Sequence, residues 1–162
     1  MSEQGTYSAA VDDRRSVRFV RLIPAAPERV WRALTEPSEL ATWLAPGVVE
    51  PRAGGDVRIE FEGDDSLTTG TVLVWDPYST LEYTWNYVGE DRSVVRYELE
   101  PVDGGTELTL EHRLLQSGQA VGYGAGWHAH LDALAARVQG VGTDWNADFE
   151  AALPRYRELA AG

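Results

Sequence analysis

Residues 120–139, AVGYGAGWHAHLDALAARVQ, decide the fold of this 162-residue chain. Apolar and aromatic side chains recur in this stretch every three or four residues, as they do on one face of an α-helix. Gly140 follows the stretch and suits the C-terminal cap of such a helix. The pattern predicts a long amphipathic helix whose inward stripe consists of Tyr123, Trp127, His130, Leu131, Leu134 and Val138.

The segments before this helix alternate between polar and apolar residues, which predicts antiparallel β-strands with one dry face and one wet face. Turn signals such as Gly63-Asp64-Asp65 and Asp103-Gly104-Gly105 separate them. We predict five successive strands, over residues 56–62, 67–75, 80–88, 94–102 and 106–114. Five dry faces need a cover, and the long helix is the element that can provide it.

Another strand and two short helices are predicted nearer the N-terminus. Residues 16–23 (SVRFVRLI) alternate and end at Pro24. Pro27 suits the first turn of a helix that Pro37 ends, and a second short helix runs to Pro46-Gly47. The chain therefore predicts an α+β fold, in which a curved antiparallel sheet of about six to seven strands wraps around a long C-terminal helix.

The two ends of the chain differ in character from this domain. We predict a flexible N-terminal arm over residues 1–15, the folded domain over residues 16–139, and an appended helical segment over residues 140–162. The last helix, roughly Trp145 to Ala160, contains Pro154, which should kink it or break it in two. This helix could equally cap the interior, pack on the outside or form a homodimer interface.

An ordered set of short motifs runs through the domain. It begins with Pro-Glu-x-Val-Trp-x-Ala-Leu-Thr-x-Pro (Pro27 to Pro37) and Leu-Ala-x-Trp (Leu40 to Trp43), and it ends with Gly126-Trp127. Between them lie Gly54-Gly55, Gly70, Asp76-Pro77, Leu81, Thr84-Trp85, Gly105-Thr106 and Leu108-Thr109-Leu110. Over about residues 16–139 this set resembles the helix-grip superfamily called SRPBCC or START-like, in the branch named for activators of the heat-shock-protein ATPase. The resemblance implies a cavity between sheet and long helix that holds apolar small molecules in many relatives, but it implies no single reaction.

Composition excludes several classes of function. The net charge of −12 is spread along the chain, which argues against nucleic acid and against an anionic membrane surface as partners. The chain has no cysteine and no lysine, so thiol and Schiff-base chemistry are excluded. No signal peptide, membrane span, phosphate loop or metal-binding motif is visible, so we predict a cytoplasmic protein without a cofactor or metal. Glutamates on the wet faces of the strands, Glu82 among them, are predicted to be solvated and to pair with arginines across strands.

Aromatic residues supply most of the candidate ligand-binding residues. The strand and helix patterns point Phe61, Trp85, Tyr97 and Trp127 into the interior, and Tyr123 joins them at one end together with Tyr87. Trp43 lies on the second short helix, which in this architecture guards one mouth of the cavity. These rings could instead simply fill the core.

Two histidines complete the candidate site. His112 lies on the inner face of a leucine-lined strand and His130 on the inner stripe of the helix, whereas His128 is expected to face solvent. A buried neutral histidine can bind a ligand oxygen or act as a base, but it can equally be a hydrogen-bonded core residue. No residue is assigned as catalytic.

Three functions stay open at this point. The first is binding of a hydrophobic or aromatic small molecule. The second is an enzyme of the cyclase, dehydratase or hydrolase type, with His112 or His130 as acid or base and Tyr97 as donor. The third is a chaperone-interacting module, which only the name of the branch suggests.

Overall fold

The computed structural model describes residues 3–61 and 66–161. Within these ranges, twelve strands and helices follow one another. They are β1 (Thr6–Tyr7), β2 (Arg14–Ile23), α1 (Pro27–Thr35), α2 (Pro37–Trp43), β3 (Gly47–Val49), β4 (Asp56–Glu60), β5 (Leu67–Asp76), β6 (Thr80–Tyr87), β7 (Ser93–Val102), β8 (Gly105–Gln116), α3 (Ala120–Val138) and α4 (Trp145–Ala161). The predicted turn at 63–65 and the last residue of the predicted strand over 56–62 lie outside the described residues.

All eight strands of the described chain belong to one antiparallel sheet with the order β1-β2-β8-β7-β6-β5-β4-β3. The pairing of β2 with β8 brings the first long strand beside the last one. Register shifts in the β2/β8 and β5/β6 ladders mark irregularities of the kind that bend a strand and increase its twist. The predicted curved sheet around a long helix is confirmed. Its strand count is higher than expected because β1 and β3 are too short to show an alternating pattern.

Helix α3 lies against the inner face of the sheet and forms the centre of the core. Its Leu131 and Leu134 are completely buried, and Trp127 is almost so. From the sheet side, Phe19 of β2 and Leu110 of β8 are equally buried. The inward stripe predicted for this helix is therefore the surface that the sheet covers.

The alternation of β8 breaks near its end, which corrects one predicted orientation. Residues on β2 and β8 stay in register from Ile23 to Val17, and the register then shifts between Val17 and Arg15. Leu114 adopts a positive φ of 64° and is exposed, whereas Leu115 is buried. The alternation of the strand predicted over residues 106–114 would place Leu114 inward together with His112; the bulge instead turns Leu114 outward and places Leu115 in the core.

The N-terminal segment follows the sheet edge rather than standing apart as the predicted arm. Thr6–Tyr7 forms β1 against β2, and the Tyr7 hydroxyl donates a hydrogen bond to the Ala120 carbonyl at 2.7 Å. Gly124 makes this approach possible, because a Cβ at that position would lie 2.1 Å from the Tyr7 hydroxyl. Tyr7 thus anchors a segment whose composition is typical of a flexible tail.

Helix α4 packs on α3 and buries Ala152 and Tyr156. It continues through Pro154, so of the predicted kink or break the break does not occur. Pro154 lies on the exposed side of the helix, so water can hydrogen-bond the Glu150 carbonyl that lacks its usual donor.

One glutamate of the outer face is not solvated as predicted. Glu82 is buried, and its carboxylate lies 2.5 Å from the Arg113 guanidinium and 3.6 Å from that of Arg96. The two arginines come from β7 and β8, so the ion pairs do cross strands, but their long side chains also cover the carboxylate.

Candidate functional site

A cavity of about 920 Å³ lies between the sheet and α3, with α2 and α4 beside it. Aromatic side chains from the sheet side, from α3, from α2 and from α4 form its wall. They are Trp43, Phe61, Trp85, Tyr87, Tyr123, Trp127, Trp145 and Phe149. The volume is in the range of small-molecule sites, and a wall of aromatic side chains with polar groups among them is typical of such sites.

Trp85 of β6 is the centre of the sheet-side wall. The alternation of β6 points it inward, and only 3% of its surface is exposed. Its ring centroid lies 5.8 Å from that of Phe61 and 5.6 Å from that of Trp127. The indole N–H donates to the Tyr123 hydroxyl at 3.0 Å, which fixes the ring without a solvent contact.

His112 lies behind this wall and does not line the cavity. Its Nδ1 accepts a 2.9 Å hydrogen bond from the Trp127 indole N–H, so Nδ1 carries no proton. Nε2 then carries the proton and donates to the Ser93 hydroxyl at 2.7 Å. Complete burial lowers the pKa of His112 to about 3. Both nitrogens are therefore used inside the protein, and the role of His112 is to orient Trp127.

Tyr97, another candidate from the sequence, is also behind the wall. Its hydroxyl lies 2.9 Å from that of Tyr83, and both side chains are almost completely buried. Burial raises the pKa of both phenols, so neither ionises at neutral pH. Tyr97 packs edge-on against Trp127 at 6.2 Å and supports the wall from the far side.

His130 faces the cavity. Its Nδ1 lies 3.0 Å from the Trp43 carbonyl, which can only accept, so Nδ1 carries the proton. Nε2 is therefore an acceptor with a free lone pair, and it has no hydrogen-bond partner among the described residues. Burial lowers the pKa of His130 to about 4, which keeps the ring neutral at physiological pH.

Trp43 is a packed side chain, which is one of the two roles that the sequence left open for it. It is buried, and its indole N–H donates to the Ala33 carbonyl at 2.6 Å. These contacts join α1 to α2, while its own carbonyl holds His130. Trp43 lines the cavity as a fixed part of the wall.

A polar corner interrupts the aromatic wall beside Tyr123. The Tyr123 hydroxyl donates a short hydrogen bond to the Glu90 carboxylate. In the orientation that satisfies its amide, Gln119 places its nitrogen 2.7 Å from the other oxygen of Glu90. Burial raises the pKa of Glu90, while the bond from Tyr123 opposes this shift.

Helix α4 supplies the remaining side of the cavity. The rings of Trp145 and Phe149 stack at 4.8 Å with an angle of 13° between their planes. The Trp145 ring also lies 5.0 Å from that of His130. Sequence reasoning did not include these two residues or Glu90 in the site. The spacing of Trp145 and Phe149 by four residues was a usable signal, whereas Glu90 lies in a turn and gave none.

A second group of polar side chains lies on α3 away from the cavity and corrects the prediction for His128. This residue is buried rather than solvent-facing, because Tyr156 of α4 covers it. Its Nδ1 accepts hydrogen bonds from the Tyr156 hydroxyl at 2.8 Å and from Arg21 at 3.3 Å. Arg21 also pairs with Asp132 at 2.8 Å, so the group joins β2, α3 and α4.

Neither a metal centre nor a membrane helix is found in the described part of the chain. No group of three or more histidine, aspartate or glutamate side chains there is arranged to hold a metal ion. Among residues 3–61 and 66–161, no helix has both the length and the apolar character that crossing a bilayer requires.

A curved antiparallel sheet closed over a long helix, with a cavity between them, defines a helix-grip protein of the SRPBCC or START-like superfamily. The model of the family described as "Activator of Hsp90 ATPase homolog 1-like protein" matches residues 24–139. The chain belongs to this family. No protein of the curated set matches the sequence.

Solved structures with the same fold include several bacterial proteins. MLL2253 from Mesorhizobium loti is 32% identical with a TM-score of 0.71, over 80% of this chain and 100% of that one. CalU16 from Micromonospora echinospora is 23% identical with a TM-score of 0.80, over 99% of this chain and 100% of that one, and this likeness concerns the fold alone. DynU16, a protein in the dynemicin biosynthetic locus, is 25% identical with a TM-score of 0.70, over 80% of this chain and 48% of that one.

Proposed function

We propose that this protein binds an apolar or aromatic small molecule in the cavity between the sheet and α3. The observation that carries the proposal is the cavity itself, about 920 Å³ of space inside an aromatic wall. The aromatic side chains that border this open space lack dispersion contacts that a packed neighbour would supply. A ligand with flat apolar faces would restore those contacts.

The fixed orientation of the side chains in the wall also supports ligand binding. Trp85, Trp127 and His130 are each held in one orientation by a hydrogen bond to another residue of the protein. Rigid rings lose little conformational entropy when a ligand arrives, which improves affinity. The similar structure DynU16 is of a protein in the dynemicin biosynthetic locus.

Gly122 allows a direct test of the cavity. It lines the cavity on α3, and a Cβ there would meet no heavy atom within 4 Å. A Cβ at this position is therefore free of clashes, and Gly122→Trp places a large side chain at the cavity wall. Gly122→Ala is the matched control, and it should stabilise the helix by about 0.5–1 kcal/mol while leaving the cavity open.

The assay is a titration of each protein with the neutral fluorophore N-phenyl-1-naphthylamine, followed by probe emission and tryptophan quenching. We expect wild type and Gly122→Ala to bind alike and Gly122→Trp to bind roughly tenfold more weakly or not at all. Native mass spectrometry of protein purified from its host adds a search for a bound natural ligand. Equal binding by all three proteins, or no binding by any, would contradict the proposal.

A second candidate function, catalysis with His130 as general base, has one observation in its favour. His130 lines the cavity and its Nε2 has no hydrogen-bond partner among the described residues, so it could accept a proton from a bound substrate. Its pKa of about 4 makes it a weak base at neutral pH, and neither Tyr97 nor His112 reaches the cavity to assist. Binding is therefore the better supported function. The chaperone hypothesis is supported only by the description of the family, and no surface of the described residues points to a chaperone.

A further inference from the structure

The charges around the cavity are unbalanced. Two carboxylates line it, Glu60 and Glu90, and no arginine does so among the described residues. The chain has no lysine at all, and its fourteen basic residues are arginines. Since His130 is neutral, the described wall carries negative charge only.

The two carboxylates are not equivalent. Glu60 pairs with Arg58 at 3.0 Å, and 57% of its side chain is exposed, so solvent and a partner both compensate its charge. Glu90 makes no ion pair within the described residues. Its hydrogen bonds come from the neutral donors Tyr123 and Gln119.

These hydrogen bonds indicate which protonation state of Glu90 its surroundings favour. Tyr123 has its own proton directed at Glu90, because its oxygen already accepts from the Trp85 indole N–H. The Gln119 nitrogen is also a donor. Two donors directed at Glu90 suit an ionised carboxylate, so the corner presents an anion with no arginine beside it among the described residues.

The neighbouring rings favour a positive charge as well. The Trp85 and Tyr123 ring centroids are 6.2 Å apart at an angle of 81°, so two differently oriented rings border the corner. The negative faces of such π-systems attract ammonium groups, and the attraction grows when water is excluded. The net charge of −12 adds a long-range field of the same sign.

We propose that the ligand of this cavity is an organic cation, with an aromatic or apolar body against the wall and an amine or quaternary ammonium group beside Glu90. The inference rests on the proposed binding function and narrows it to one class of ligand. It follows from the juxtaposition of a partly buried carboxylate, which has no ion pair within the described residues, with indole and phenol rings at the edge of an aromatic-walled cavity.

The test uses three probes of one shape and different charge: trimethylphenylammonium, tert-butylbenzene and benzenesulfonate. Each is measured by its displacement of N-phenyl-1-naphthylamine from wild type, Glu90→Gln and Glu100→Gln. Glu100 lies exposed on β7, so its change to glutamine alters the net charge equally without touching the cavity. Glutamine at position 90 can still accept from Tyr123, and unchanged binding of the neutral probe verifies that the cavity is intact.

We expect trimethylphenylammonium to bind wild type and Glu100→Gln alike, and to bind Glu90→Gln about ten- to a hundredfold more weakly, as loss of a charge partner at close range implies. The affinity of tert-butylbenzene should stay within about twofold throughout, and benzenesulfonate should bind wild type worst. If the neutral probe binds all three proteins while the cation shows no preference for Glu90, the cation inference is overturned and small-molecule binding stands. If the fluorophore itself finds no site in wild type, both proposals fail.

Discussion

Acid should destabilise this protein through two histidines that the fold keeps neutral. His112 and His130 have pKa values of about 3 and about 4, because both are buried. In the unfolded chain each returns to about 6.5. The unfolded state therefore binds more protons than the folded state below this value, so stability is fully present above about pH 6.5 and is lost as pH falls toward 4.

The magnitude follows from the distance between the pH and the unfolded pKa. A pH of about 5 lies roughly 1.5 units below the pKa of an unfolded histidine. Each pH unit corresponds to about 1.4 kcal/mol in the free energy of unfolding. Each histidine thus contributes about 2 kcal/mol of destabilisation, or about 4 kcal/mol together. This is a large part of the 5–15 kcal/mol that stabilises a typical domain.

The measurement is urea denaturation of wild type and His130→Phe at about pH 7.5 and about pH 5, with linear extrapolation to water. Carboxylates also titrate in this range, and Glu90, whose pKa burial raises, acts in the opposite sense. The informative quantity is therefore the difference between the two proteins. His130→Phe should lose about 2 kcal/mol less than wild type on acidification. Equal losses, or ring NMR signals of folded His130 that titrate near pH 6.5, would refute the argument.

Three more predictions concern single residues. Glu90→Gln should raise the Tm of the ligand-free protein at neutral pH. Burial raises the pKa of Glu90 in the folded state, so its ionisation destabilises the fold as pH rises through that pKa. Differential scanning calorimetry measures the Tm, and a lower value for Glu90→Gln would count against this reasoning. Trp127→Phe should cost about 1–3 kcal/mol beyond lost packing, because the buried Nδ1 of His112 then lacks a donor, and urea denaturation measures this. Gly124→Ala should destabilise the protein, because its Cβ would lie 2.1 Å from the Tyr7 hydroxyl, and adding Tyr7→Phe should recover part of the loss in thermal melts.

Much of the fold could be predicted because its main signals are local. Alternation over β6, β7 and most of β8 identifies the strands and their inner faces, and the stripe on α3 identifies the cover. Leu114 escaped prediction because a bulge depends on how two strands fit and leaves the composition of one strand unchanged. The position of residues 3–13 escaped it because Tyr7 acts through contacts with α3 that are more than a hundred residues away in sequence.

The candidate site was predictable only where side chains follow the period of an element. Trp85 and Trp127 point into the cavity because β6 and α3 direct them there, as their patterns indicate. Glu90 lies in the turn between β6 and β7, where side chains follow no regular period. It matters because it has no ion pair within the described residues. An unpaired carboxylate is a property of the assembled surroundings, which no single stretch of sequence contains.

His112 and His130 illustrate where sequence reasoning ends. Both were predicted inward, and both are inward, within the same group of rings. The difference between them is the number of ring nitrogens that the protein itself uses. His112 uses both, one toward Trp127 and one toward Ser93, and it has nothing left to offer a ligand. His130, which lines the cavity, uses one toward the Trp43 carbonyl, and its other ring nitrogen has no partner among the described residues. Because a histidine needs two partners to be fully satisfied in a core, the one with a single partner is the one that can recognise a hydroxyl or amine of a bound molecule.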